Sequence, residues 1–398
     1  MSDREILVQK FGGSSLADLK KLRLVAEKIV ATRQQGYDLV VVVSAMGDTT
    51  DDLLEMAKGI SANPSRRELD MLLSVGERIS MALMSIAIQS YGYEAVSLTG
   101  SQCGIITTHS HSNARIMDVR PFRVQDELDQ GRIVIVAGYQ GSSYRRDVTT
   151  LGRGGSDTTA VALAAALGAQ ACEIYSDVDG VFSADPRVVL DAHQLEELSY
   201  EEMQEMARSG ARVLNEEAVN FARRAKIALY ARKTHAQASQ GTMIRRIDLD
   251  EEGVRRAELG CPAVAVSHIR RGLWIEAQVS ADEVMATLGE VGGPIIDWQP
   301  GRRAAVFVGL DDLHGEDVFR DDLSGLGADV EVASAGLVSV IGRGIGATPV
   351  WALRAREALK SGEVSPYFQA VYPDRLSWVI ASEDVEGAAR LLHGELVS

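Results

Sequence analysis

Residues Thr149–Arg187 constrain this chain more than any other stretch. They read TTLGRGGSDTTAVALAAALGAQACEIYSDVDGVFSADPR. Gly152, Gly154 and Gly155 surround a single arginine, Arg153, and lead into Ser156, Asp157, Thr158 and Thr159. Glycines let backbone N–H groups approach an anion closely, and Ser156 or Asp157 is placed to cap the helix that follows. That helix, Thr158–Leu167, is almost wholly Ala, Leu and Val, so it has to be buried on most sides. A short strand, Cys172–Ser176, comes next, then the acidic turns Asp177-Val-Asp179-Gly180 and Asp185-Pro186-Arg187. A glycine loop and two acidic turns in one region suit a phosphorylated, metal-bound ligand.

The upstream segments repeat a strand–turn–helix pattern. Residues 5–11, EILVQKF, stop at Gly12-Gly13-Ser14-Ser15, and Leu16, Leu19, Leu22, Val25, Ala26 and Ile29 then recur at helical spacing. Lys10, at the strand end, either faces an anion held by the turn or is a surface lysine beside a plain βα connection. Asp38–Ala45 is a continuous apolar run, the mark of a parallel strand covered on both faces. It leads through Ser44 and Met46-Gly-Asp-Thr-Thr50 to a helix from about Asp51.

One helical stretch is expected over Arg66–Tyr91, with Glu77 among Leu72, Leu73, Ile79, Leu83 and Ile86. A carboxylate so flanked needs a partner or a water-filled cleft; pairing with Arg78 or another base on the helix surface is the plainer account. Strands Glu94–Leu98 and Arg132–Tyr139 flank a helix at Pro121–Gln130. Helices Tyr200–Arg208 and Val213–Arg224 and a strand Ile227–Ala231 complete one α/β domain. His109 and His111, in a Ser/Thr-rich loop, read as solvated rather than as metal ligands.

Charged residues dominate Leu249–Arg256, which sets a domain boundary there. Beyond it two tandem βαββαβ halves are expected. The first has strand Leu273–Val279, helix Ala281–Val291, strands Pro294–Gln299 and Ala304–Gly309, helix Gly315–Leu326 and strand Asp329–Ala333. The second has strand Leu337–Gly342, helix Thr348–Lys360, strands Ser365–Val371 and Leu376–Ala381, and helix Asp384–Leu392. The resulting division is 1–248 for the α/β domain, 257–334 and 335–398 for the halves, which suit regulation or dimerisation. Gly342-x-Gly344-x-Gly346 lacks dinucleotide-fingerprint spacing and reads as a tight turn.

A net charge of −15 argues against nucleic acid or an anionic membrane surface as the main partner. Three scattered cysteines, Cys103, Cys172 and Cys261, fit neither a disulfide framework nor a CxxC metal site. The N-terminus lacks the pattern of a secretory signal, and no run of 18 apolar residues occurs, so the expectation is a soluble cytoplasmic protein.

No Gly-Lys dipeptide occurs, which excludes a Walker A loop, and GxSxG, HExxH and HRD are absent. What remains suits phosphoryl transfer, which needs positioning and charge neutralisation more than covalent help. A carboxylate acceptor, ionised above pH ~4, needs no general base, which fits the lack of a convincing catalytic histidine.

Lys10-Phe-Gly12-Gly13-Ser14-Ser15, Ser44-Ala-Met-Gly-Asp-Thr-Thr50, Gly76-Glu77-Arg78, Gly152-Arg153-Gly154-Gly155-Ser156-Asp157 and Tyr175-Ser-Asp177-Val-Asp179-Gly180 together resemble the aspartokinase branch of the amino acid kinase family. The resemblance is close over about residues 5–245 and loose beyond. It implies a largely parallel sheet between helical layers, followed by two ACT domains that bind amino-acid effectors and build dimers. It implies ATP, Mg²⁺ and L-aspartate as ligands, with 4-phospho-L-aspartate as product and entry to amino-acid biosynthesis. Lys10 would stabilise the transferring phosphoryl group, with Gly12, Gly13 and Ser14 nearby. Asp157 would orient Lys10 and the metal–phosphate unit, the Mg²⁺ being held mainly by the ATP phosphates. Glu77 would receive the α-ammonium of aspartate and Arg153 would clamp a carboxylate. Ser44, Thr50, Gly155 and Ser156 would line the same pocket. Ser176, Asp177, Asp179, Phe182, Ser183, Ala184, Asp185, Pro186 and Arg187 would hold the nucleotide.

Two departures stand out. Arg212 occupies the place of a lysine that touches ATP in the family. The Asp-x-Pro-Gly effector loop is missing at Ser280-Ala281-Asp282-Glu283, which implies weak inhibition by lysine or threonine while the ACT pair still supports a homo-oligomer. Two other readings remain: a kinase for another amino-acid-like or carbamate acceptor, and a non-catalytic amino-acid sensor.

Overall fold

Leu39 through Val43 are all fully buried, so both faces of their strand are covered. The computed structural model that shows this describes residues 4–152, 154–234, 241–247, 262–277, 295–299, 304–310, 316–325 and 330–397. The chain divides into two compact units, 1–181 with 195–200 and 213–246, and 182–194 with 201–212 and 247–398. The expected boundary at 249–256 lies outside the described residues.

The first unit is built on eight strands: β1 (Ile6–Phe11), β2 (Asp38–Val43), β3 (Ala95–Leu98), β6 (Ile133–Ala137), β9 (Ala171–Ser176), β12 (Glu197–Ser199), β13 (Ala228–Lys233) and β14 (Thr242–Arg245). Their order is β12-β14-β13-β9-β1-β2-β6-β3. Only β13 and β14 run antiparallel. On one face, Leu22, Val25, Ala26 and Ile29 of α1 (Leu19–Gln34) and Met84 and Ile88 of α4 (Val75–Ser90) share a core with Leu7, Phe11, Val41 and Val43. The all-apolar α6 (Gly155–Leu167) packs against β1, β2 and β9, with α8 (Glu216–Ala225) beside it. The mostly parallel sheet between helices is the expected fold class. Helices α2 (Thr49–Ile60), α5 (Phe122–Asp129) and α7 (Tyr200–Arg208) follow their sequence patterns.

A four-stranded sheet, β5-β4-β7-β8, was not foreseen; it comprises β4 (Ile105–Thr107), β5 (Ile116–Val119), β7 (Gln140–Ser143) and β8 (Val148–Thr150). Its strands have three or four residues each, too short to show a period. Three further expectations are corrected. The stretch Arg66–Tyr91 is two helices, α3 (Arg66–Leu73) and α4, parted at Ser74, whose carbonyl accepts from Gln140 Nε2 at 2.9 Å. By length and composition Arg66–Ser90 could span a membrane, yet α4 packs on α1, β2, β3 and β6. Ser156 and Asp157 do not cap α6: Gly154, at φ 74°, occupies the cap in the left-handed region open to glycine. The helix expected from Val213 starts at Glu216, because Asn215 caps it by accepting from the N–H groups of Glu217 and Ala218.

In the second unit a six-stranded sheet runs β16-β17-β15-β18-β20-β19 with every pair antiparallel. These are β15 (Ala265–Ala277), β16 (Ile295–Gln299), β17 (Ala304–Gly309), β18 (Val330–Ile341), β19 (Phe368–Tyr372) and β20 (Arg375–Ala381). Two short strands, β10 (Val181–Phe182) and β11 (Gln194–Leu195), mark where the chain leaves and re-enters the first unit. The strands expected at Asp329–Ala333 and Leu337–Gly342 are one, β18. Ala335 and Gly336, which look like a turn, are packed positions: a Cβ on Gly336 would meet Val385 Cγ2 at 2.3 Å. Helices Pro349–Ser361 and Val385–Leu396 share the core of this sheet through Ala355, Leu359, Ala388 and Leu392 around Trp378. The expected helix Ala281–Val291 and the Ser280–Glu283 segment lie outside the described residues.

Candidate active site

Lys10 is a central-strand residue, with Val42 of β2 on one side and Ile174 of β9 on the other. Parallel neighbours bring the carboxyl ends of β9, β1, β2 and β6 to one edge, where ligands bind in open α/β sheets. Lys10 Nζ lies 2.6 Å from Asp157 Oδ1, and the two residues are only 9% and 8% exposed. The lysine ammonium carries three N–H donors, so pairing with one carboxylate oxygen leaves others for an anion. Asp157 sits in the first turn of α6, so the pair lies at the positive end of a buried helix. A Cβ on Gly12 would come 3.6 Å from Lys10 Nζ, and one on Gly13 would meet Ala45 O at 2.8 Å. The glycines thus keep the space beside the lysine clear and let the β1 turn pack against the end of β2. Ser14 is exposed.

The break at Ser74 puts Glu77 in the first turn of α4 rather than mid-helix. Gly76 permits this approach, since a Cβ there would stand 2.8 Å from the Ala45 methyl. Glu77 is 3% exposed; its Oε1 accepts from the Ala45 N–H at 3.2 Å, and Oε2 has no partner. Burial pushes its carboxyl up to about 7, against the Ala45 hydrogen bond. The expected pairing with Arg78 is not made: Arg78 Nε turns to Gln140 Oε1 at 3.4 Å. An orphaned buried carboxylate is a seat for a cation. Ser44 and Thr50, both half-buried, follow β2 on the same edge, and Ser156 approaches Gly138, where a Cβ would meet its Oγ at 2.7 Å. Gly155 packs against Leu151 and Tyr139. Arg153 lies outside the described residues.

The nucleotide candidates divide between the units. Ser176, Asp177 and Asp179 follow β9 in the first, with Ser176 Oγ accepting from the Val178 N–H at 3.3 Å. Phe182–Arg187 belongs to the second. There Ser183 Oγ bonds His393 Nε2 at 2.9 Å, Ala184 joins the core around Trp378, and Arg187 grips Asp185 through Nε and Nη2, holding that carboxyl below its usual range. Pro186 stands between that pair, and Arg212, also of the second unit, is exposed.

Residues 5–232 match the amino acid kinase family model. The chain belongs to that family. The aspartokinase of Corynebacterium glutamicum is 43% identical over 413 residues, covering 98% of this chain and 95% of that one. The aspartokinase of Mycobacterium tuberculosis strain H37Rv is 59% identical over 240 residues, 60% of this chain and 57% of the other. Escherichia coli aspartokinase III in complex with aspartate and ADP superposes with a TM-score of 0.83 at 22% identity, over 99% of this chain and all of that one. The aspartate kinase of Synechocystis gives 0.57 at 32% identity, over 99% of this chain and 70% of that one. Within the amino acid kinase family the chain therefore stands among the aspartokinases.

Two residues of this kinase escaped the sequence reading. Tyr139 adopts φ 66°, a conformation costly for a side chain with a Cβ, and its ring lies against Gly155. Its only signal was its place at the end of the expected strand Arg132–Tyr139, which in the structure stops at Ala137. Asp70 is fully buried in α3 and accepts from Thr150 Oγ1 at 2.6 Å and from the Ser112 N–H at 3.0 Å. Its sequence carries no signal of this, because the partners come from residues 42 and 80 positions away.

Proposed function

We propose that the chain transfers the γ-phosphoryl group of ATP to the β-carboxylate of L-aspartate, giving 4-phospho-L-aspartate and ADP at the entry to aspartate-derived amino-acid biosynthesis. The observation that carries this is the buried Lys10–Asp157 pair at the head of α6 on the sheet edge that also bears the cation-seeking Glu77. An α-amino acid needs an anion at its ammonium and a cation at its carboxylate. Glu77 supplies the first and Arg153, by its sequence position, the second. Lys10 meets the phosphates and stabilises charge on the transferring group. Asp157 positions Lys10, and Ser44, Thr50, Gly155 and Ser156 line the acceptor's side. Ser176, Asp177 and Asp179, which follow β9, serve the nucleotide.

The donor set fits Mg²⁺ carried on the nucleotide rather than a protein cage, since oxygen ligands besides Asp157 would come from phosphate and water. Bound Mg²⁺ would neutralise phosphate charge, and Asp157 would orient it. A homo-oligomer formed through the second unit, and a cytoplasmic setting, belong to the same reading.

Trapping the acyl phosphate with hydroxylamine during ATP turnover tests it. Aspartate-dependent hydroxamate formation, absent in Lys10→Met, is the expected result. ATP turnover with another acceptor and none with aspartate would overturn the assignment.

A further inference from the structure

His109 and His111, which read as solvated loop residues, do not both face water. His111 Nδ1 lies 2.6 Å from Oδ2 of the fully buried Asp70, whose Oδ1 accepts from Ser112 and Thr150. An ionised carboxylate only accepts, so it fixes a proton on Nδ1 and leaves the lone pair of a neutral His111 on Nε2. A carboxylate behind the distal nitrogen is how proteins orient a metal-binding imidazole. Asp147, 36 residues further on and invisible as a partner in sequence, divides its oxygens: Oδ1 lies 3.5 Å from Arg67 Nε and Oδ2 lies 4.0 Å from His109 Nδ1. One ligand atom from each of His109, His111 and Asp147 lies within 4.8 Å of the others. The His109 side chain is 40% exposed, free to close the remaining distance.

We propose that His109, His111 and Asp147 bind a borderline divalent cation of the Zn²⁺ or Co²⁺ type, separate from the Mg²⁺ of the nucleotide. Two imidazoles and one carboxylate suit such ions, whereas Mg²⁺ prefers oxygen alone. Three protein ligands leave a fourth position for water. The cation joins the loop after β4 to the turn between β7 and β8. That loop reaches the arginine loop of the active site: the Ala114 N–H donates to Thr150 O at 2.9 Å, and a Cβ on Gly152 would meet Asn113 Oδ1 at 3.0 Å. Binding therefore braces the segment immediately before Arg153.

The test is calorimetric titration of the untagged, EDTA-treated full chain with ZnCl₂, with Co²⁺ absorption spectra alongside. One Zn²⁺ per chain is expected, with visible Co²⁺ bands of a tetrahedral N/O site. His109→Ala and Asp147→Asn should each weaken binding by about tenfold or more while keeping the native circular dichroism spectrum. Absence of saturable binding at one ion per chain would overturn the proposal. So would binding that both variants leave unchanged.

Discussion

Glu77 is buried with only backbone N–H groups, its own and that of Ala45, to favour its charge, and its Oε2 has no hydrogen-bond partner. Without a ligand it therefore gives up its proton late. Its carboxyl titrates at about 7 in the fold against 4.5 ordinarily. The folded state therefore holds a proton that the unfolded chain releases. The group's contribution to stability is full below about 4.5, shrinks as pH rises, and is lost by about pH 7, a swing of up to ~3 kcal/mol. An α-ammonium prefers the ionised form, so aspartate binding strengthens over the same window. Accordingly kcat/KM for aspartate should rise with pH to a plateau above about 7. Glu77→Gln should flatten that rise and lower the plateau by ~10- to 100-fold, the worth of a hydrogen bond to a charged group. An unchanged pH profile in Glu77→Gln would remove Glu77 from the site. In sequence, Glu77 was recognisable as a carboxylate among apolar residues. Its missing partner was not, because that depends on where Ala45 and Arg78 point.

Helices and strands with strong patterns were legible: β2 as an unbroken valine run and α6 as an all-apolar helix. Their ends were less so, because ends are decided by single residues acting through space. Gly154 takes the α6 cap at φ 74°, and a Cβ there would come 2.6 Å from Asn215 Nδ2, the side chain that caps α8. One glycine thus holds two helix starts together, 61 positions apart in the chain, a relation no local window contains. Gly154→Ala should cost about 1–3 kcal/mol through left-handed strain and displacement of Asn215. It should also lower kcat, because Asp157 rides in the first turn of α6. Thermal unfolding and steady-state rates check both; a variant with wild-type stability would show that the cap tolerates a side chain. The break at Ser74 teaches the same lesson, since it is held by Gln140 from another strand.

At the scale of the whole molecule, the catalytic unit was legible because most of its motifs are short glycine-rich or acidic stretches that directly follow strands β1, β2, β8 and β9, whereas the repeat-like tail was legible only in outline. Its two halves share one sheet, with β18 paired to β15 on one side and β20 on the other. An amino-acid effector captured at such a sheet needs unpaired N–H donors for its carboxylate. In the described turn after β18 the donors are already used: Gly342 N–H donates to Asp374 O at 3.1 Å, Gly344 N–H to Asp374 Oδ1 at 2.6 Å, and Gly346 N–H to Pro373 O at 3.0 Å. A Cβ on Gly346 would stand 1.9 Å from Tyr372 O, so the glycines serve close packing on the β19–β20 hairpin. The corresponding first-half segment, Ser280–Glu283, carries no Asp-x-Pro-Gly. The engaged donors after β18 and the missing motif at Ser280–Glu283 are the grounds for expecting weak feedback. Turnover with lysine and threonine, singly and together at ~1 mM, should change less than about fivefold, the low end of allosteric coupling. Asp374→Ala frees the Gly344 donor, and any inhibition it uncovers would locate an effector-binding position in that turn. Strong inhibition of the unmodified chain would instead mean that the effector is held by residues other than these glycines.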